Sequence, residues 1–221
     1  MSKDSPSVLS MVMLPAIITL VVTILRLFGE LQGWDSSLFN PDAGGGQAPI
    51  GIFFLIPIFG FWFGLKHARA GNRPGHLGKA AMLYVLSAAA FMGIFFGLMQ
   101  LDLVMDPSSE TPEKLKGVPY MLGTFGVAAL ISLIAWPKLT ITLMVYGILA
   151  RIPVLVITYL DVSNGWDTHY GELPPSFLVE NDDDLLFALC LPQMTAWPLV
   201  ITPGLGGLLG CLGGLAAGKR S

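Results

Sequence analysis

The chain has 221 residues, of which 53% are hydrophobic and 12% charged, and its net charge is −3. A soluble domain carries roughly 25% charged residues, and several apolar runs here exceed the ~20 residues that cross a bilayer, so a soluble fold is excluded. No tract alternates with period two, which argues against a membrane barrel and predicts an all-α, polytopic transmembrane helical bundle forming a single integral membrane domain over residues 1–221.

Six spans are predicted, at about 8–29, 49–65, 80–101, 118–136, 139–160 and 198–217. The first follows Lys3 and superficially resembles a signal peptide, but the run is long and no small-x-small cleavage site follows, so it reads as a retained span. The connection at 30–48 holds Trp34, Asp35 and Asp42 without lysine or arginine, and its triplet Gly44, Gly45, Gly46 reads as a flexible link. The second span is short and aromatic. The connection at 66–79 is the most basic part of the chain, and its His67 and His76 read as solvated. A phosphate-loop reading of GNRPGHLGK fails, because the pattern needs glycine at Arg73 and a hydroxyl at Ala80. Contact with anionic lipid headgroups is the expectation there, and no nucleic-acid binding is expected.

Between the fourth and fifth spans, Pro137 and Lys138 make a tight return. The loop at 161–184 has seven acidic residues and no lysine or arginine. The last apolar stretch, 185–217, would reach about 50 Å as one helix and contains Pro192, Pro198 and Pro203. It reads as an interfacial or half-crossing piece at 185–197 followed by a span. Cys190 and Cys211 both lie in it, 21 residues apart, and imply neither a disulfide nor a metal site.

Charge sorting predicts orientation. With both termini cytoplasmic, the cytoplasmic segments hold eight cations: Lys3, Lys66, Arg69, Arg73, Lys79, Lys138, Lys219 and Arg220. Only Lys114 and Lys116 are external, as the positive-inside bias requires. Fourteen of the fifteen acids fall outside or at the outer boundary. The expected setting is a multi-pass protein of a bacterial-type cytoplasmic (inner) membrane.

Without a hydrophobic drive between helices in lipid, small residues four apart allow close backbone packing. Gly206, Gly210, Gly214 and Gly218 form such a series, with shorter repeats at Gly60/Gly64 and Gly93/Gly97. The partner of the last span is either another helix of the chain, a second copy, or another subunit of a membrane complex. An internal echo also stands out: Gly33-Trp34-Asp35 follows the first span and Gly165-Trp166-Asp167 the fifth.

Arg151 carries the sharpest functional signal. It lies near the middle of the fifth span, always charged, at a cost of about 2.5–3.5 kcal/mol on translocon scales before it finds a partner. No carboxylate lies deep in any predicted span. Its candidate neutral partners are Tyr146, Gln100, Tyr84, Ser87, Thr124 and Ser132, with Asp102 or Asp161 within reach if it stretches outward. Arg26 sits near the end of its span and is expected to snorkel, pairing with Glu30 one turn on. The external Asp167, His169 and Glu172 have groups suited to metal or acid–base chemistry, but their spacing matches no strong motif.

The expected function is that of a small transporter, or a subunit of a transport assembly, for an anionic or polar solute. The alternatives are an assembly subunit docking through the glycine series and a membrane enzyme acting on a lipid at the outer interface. No catalytic residue, metal or cofactor is assigned. A wet pocket around Arg151 would favour transport or binding; a sealed hydrogen-bonded knot would favour scaffolding.

Overall fold

The computed structural model describes residues 7–45 and 49–218. Lys3, Asp4, Gly46, Lys219 and Arg220, used in the charge and glycine arguments above, lie outside the described residues. The helices are α1 (Val8–Leu31), α2 (Leu55–Arg69, preceded by a 3-10 turn at Ile52–Phe54), α3 (Leu77–Gln100), α4 (Val118–Ala135), α5 (Pro137–Asn164), α6 (Asp182–Met194) and α7 (Thr202–Ala216). Six segments are long and apolar enough to cross a membrane, α6 and α7 counting as one broken helix from Asp182 to Ala216. No β-strand occurs among the described residues.

In the last apolar stretch the two expected pieces correspond to α6 and α7, which are joined without a loop. Proline has no N–H to bond back one turn, yet the chain does not form a loop at Pro198. It widens into a π turn at Trp197–Ile201 and continues as α7. At the start of α6, the Asn181 side chain accepts from the Asp184 amide at 2.9 Å, and Asp182, Asp183 and Asp184 occupy the first turn, where they complement the helix dipole.

The glycines explain the closest packing. α2 and α7 share the most extensive contact between helices. A Cβ on Gly60 would run into the backbone of Gly206, and one on Gly64 into that of Gly210. The two glycine faces therefore meet each other within one chain. Gly206 and Gly210 also receive Leu143 and Leu139 of α5, Gly207 receives the Tyr84 ring, Gly213 faces the Phe61 carbonyl and Gly214 packs on Leu77 and Trp136. Gly218 corrects the series: it lies past the helix end at φ +73° with open space around it, a left-handed stop in place of a packing residue. Gly93 and Gly97 likewise meet nothing.

α5 is the hub, packing on α1, α2, α4, α6 and α7. It is linked to α4 through Trp136 alone, with Pro137 opening the new helix where its missing N–H costs nothing. Polar pairs lock the interior: Tyr84 with Thr140 at 2.8 Å, Thr19 with Tyr146 at 2.8 Å and His67 with Thr142 at 2.9 Å. His67 is buried in the last turn of α2, so the expectation of a solvated histidine is corrected. Lys66 and Arg69 belong to the same turn, where cations suit a helix C-terminus.

The repeated Gly-Trp-Asp has one structural meaning in both places. Gly33 and Gly165 each adopt φ +62°. The next amides bond back five residues, Trp34 to the Gly29 carbonyl and Trp166 to that of Asp161. Each is a helix stop of Schellman type, and the two helices they end, α1 and α5, lie side by side.

Candidate functional site

The exposed surface of α1 is apolar apart from Ser10, while its buried face carries Thr19, Thr23, Arg26 and Glu30 at helical spacing. That stripe builds one wall of the site. Arg26 does not snorkel. It is 7% exposed and its Nε donates to Glu30 Oε1 at 2.7 Å. Its terminal nitrogens donate to the carbonyls of Ile50, Asn40 and Gly45 at 2.9, 3.1 and 2.9 Å. Gly45, expected to belong to a flexible link, is therefore bonded to a guanidinium. Gly44 and Gly45 take positive φ values of 70° and 74°, and a Cβ on Gly45 would overlap Arg26.

Glu30 gathers a second partner from 139 residues away. Its carboxylate accepts the His169 backbone N–H at 3.0 Å, and His169 Nδ1 lies 2.7 and 2.8 Å from its two oxygens. The carboxylate fixes the proton on Nδ1 and leaves Nε2 without a protein partner. Burial draws His169 below its ordinary imidazole value, while the Glu30 carboxylate pulls the other way. The next residue, Tyr170, is buried and donates to the Thr23 carbonyl at 3.3 Å. Asp161, at the last turns of α5, accepts from Thr168. These bonds pin the 165–177 loop over the bundle.

Beneath that loop lies a cavity of about 680 Å³, within the size range of small-molecule sites. It exists because α2 is short. At 15 residues, α2 rises about 22 Å, against about 42 Å for the 28 residues of α5. The missing turns leave a space between α1, α5 and α6. Val22, Ile52, Phe53, Phe54, Leu173 and Trp197 give it largely apolar walls, and Arg151, His169, Glu172 and Gln193 supply polar groups.

Arg151 sits 14 residues from the start of α5 and 13 from its end, about 20 Å from either. It is 6% exposed. Its guanidinium carbon lies 3.6 Å from the centroid of the Trp197 ring, and Nη1 donates to Gln193 Oε1 at 2.9 Å. A desolvated cation–π contact is worth about 2 kcal/mol and a charged hydrogen bond about 1.5–3 kcal/mol, enough to hold the charge at this depth. Yet one hydrogen bond uses one of five N–H groups. No fully enclosed side-chain nitrogen or oxygen is left unpaired among the described residues, so the spare donors of Arg151, like Nε2 of His169, open onto the cavity both residues line. The amino end of the Ile52–Phe54 turn reaches the same space, with no side chain capping it.

The other expected partners of Arg151 are engaged elsewhere. Tyr146 bonds Thr19 and packs its ring on Phe59 and Phe63. Tyr84 bonds Thr140, Ser87 donates to the Ala128 carbonyl and accepts from Ser132, and Thr124 bonds its own helix. Gln100 is exposed at the end of α3 and is not among the residues lining the cavity. Asp102 is paired with Lys116 at 2.5 Å on the surface. Gln193 lies in the segment whose prolines suggest an interfacial piece, although its spacing of four residues from Trp197 marks a helical face.

The Asp167, His169, Glu172 trio is not assembled. His169 turns inward to Glu30, Glu172 reaches the cavity rim, and Asp167 points to solvent. No group of three or more His, Cys, Asp or Glu residues placed to hold a metal ion occurs among the described residues. Comparison with known proteins finds no matching family model, no similar curated protein and no similar solved structure.

Proposed function

We propose that this protein is a small membrane transporter, or the solute-binding subunit of a transport assembly, that takes an anionic solute into the cavity beside Arg151. The observation that carries this reading is the guanidinium itself: buried at mid-depth, stacked on Trp197, and making one protein hydrogen bond while its other donors face an open space. A structural arginine has the pattern of Arg26, with four hydrogen bonds to protein. Two further features support an anion. The uncapped amino end of the Ile52–Arg69 helix directs the positive end of its dipole toward the cavity. The proline-broken helix from Asp182 to Ala216 borders the same space, as broken helices do around transporter sites. On this reading the cavity opens at the acidic, external end and the basic connections face the cytoplasm. The glycine faces are consumed between α2 and α7, which weakens the case for an assembly subunit docking through them.

Thiol labelling tests the reading without knowledge of the solute. Thr158 is buried on the cavity wall. A Thr158→Cys protein with Cys190 and Cys211 replaced by alanine is reconstituted and treated with sulfonatoethyl or trimethylammonioethyl methanethiosulfonate. The anionic reagent should react roughly tenfold faster than the cationic one, as expected for one unit charge within about 10 Å. Arg151→Gln should bring the ratio close to one. An introduced thiol that does not react, or a ratio indifferent to Arg151, refutes the assignment. Flux is then read from swelling of proteoliposomes in potassium acetate, benzoate and phosphate with valinomycin. Passage of none of these, or passage unchanged by Arg151→Gln, refutes transport.

A further inference from the structure

The Arg26–Glu30–His169 chain has a charge balance that bears on what enters with the anion. Arg26 and Glu30 cancel as a tight pair at 2.7 Å. His169 is held rigidly against that pair by two bonds, from its backbone N–H and from Nδ1. Its Nε2 faces the cavity with no protein partner. The charged groups around it are Arg26 and Glu30 of α1, Arg151 and Asp161 of α5, and Glu172 in its own loop; α6 contributes no charged side chain to the cavity lining. Glu30 is bonded at Nδ1 and Asp161 at Thr168, so a proton on Nε2 would place a positive charge on the cavity side, which Arg151 also lines, with no carboxylate bonded to that nitrogen. An anion in the cavity supplies the missing counter-charge.

We propose that His169 Nε2 takes up one proton from solvent when an anion occupies the cavity and releases it when the anion leaves, so that anion and proton bind together. This rests on the anion-binding reading above. The proton adds to the free imidazole lone pair, no other bond changes, and the imidazolium then donates toward the bound anion. Glu30 acts as the positioning residue: it fixes the tautomer and faces the ring's other edge.

The labelling ratio of the Thr158→Cys protein tests this, because both reagents need the thiolate and its titration cancels in the ratio. From pH 8 to pH 5 the anionic-to-cationic ratio should rise roughly tenfold, stay flat when His169→Gln is added, and still rise with Glu172→Gln. A rise that survives His169→Gln, or no rise in the Thr158→Cys protein while the ratio still depends on Arg151, overturns the coupling and leaves the anion site standing. Loss of Arg151 dependence overturns both. A second measurement leaves His169 intact: the sulfonate adduct on the introduced thiol is a tethered anion. Nitrogen-15 NMR of the three imidazoles should show one titrating at least one pH unit higher in the adduct than in the unmodified protein. Identical midpoints for all three overturn the proposal.

Discussion

Replacing Glu30 by methionine should be among the most damaging single changes in the protein. The carboxylate side chain is fully enclosed and accepts from Arg26 Nε at 2.7 Å, the His169 amide at 3.0 Å and His169 Nδ1 at 2.7 Å. Its removal strands a buried guanidinium that keeps only carbonyl partners, and orphans two donors of His169. Breaking a buried ion pair from one side costs about 3–5 kcal/mol. Glu30→Gln keeps an acceptor for His169 and should cost less, about 1–3 kcal/mol. The decisive comparison is the double variant Arg26→Met/Glu30→Met. It removes the lone charge, so its loss should fall short of the summed single losses by a coupling of about 1–3 kcal/mol. The assay is unfolding in mixed detergent micelles, with hydrogen exchange following residues 32–45 and 49–51. Those amides should exchange faster in every variant that frees Arg26 from the Asn40, Gly45 and Ile50 carbonyls. Strict additivity of the two single changes, or a Glu30→Met protein as stable as the parent, would refute the claim that this pair is buried and coupled.

Gly64→Leu should separate α2 from α7 and cost several kcal/mol or abolish folding, because its Cβ already meets the Gly210 backbone; Gly93→Leu meets open space and should leave the melting temperature within a degree or two. Trp197→Leu should remove the surface on which Arg151 stacks and lower stability by about 2 kcal/mol, a loss absent when Arg151 is already glutamine. Stability should also depend on pH through His169. Its folded value is held below 6.5 by burial, so the neutral ring's contribution is complete above pH 6.5. As pH falls below that point the unfolded chain takes a proton before the folded one, and stability declines. His169→Gln should flatten the unfolding free energy between pH 6.5 and 5; a slope unchanged by the substitution would show that the ring is not held neutral.

Hydropathy along the chain was enough to mark six helices long and apolar enough to cross a membrane, since a bilayer selects on local composition within about 20 residues. Glycine spacing likewise marked the closest helix faces, because a missing Cβ is a local fact with a local steric effect. Arg151 was legible as the charge that needs an explanation. Its true partner was not: Gln193 lies 42 residues on, in a segment whose prolines read as a break between elements. Of the Thr19, Thr23, Arg26, Glu30 stripe only the pairing of Arg26 with Glu30 was expected; the two threonines mark the same face at helical spacing and the burial of Arg26 followed from neither. What it meets could not be read, because His169 is 139 residues from Glu30 and docks only once the 165–177 loop folds back over α1.

The amino-acid sequence by itself therefore determined which segments are helices suited to lipid and which residues are too polar to face hydrocarbon. The tertiary structure alone decided that a short α2 leaves a cavity, that one arginine is caged by backbone carbonyls and the other left with donors to spare, and that a loop histidine shares a carboxylate with the first span. The division has one cause: solvent preference acts on each segment separately, while the pairing of buried polar groups depends on which helices touch, and that is set by packing across the whole bundle.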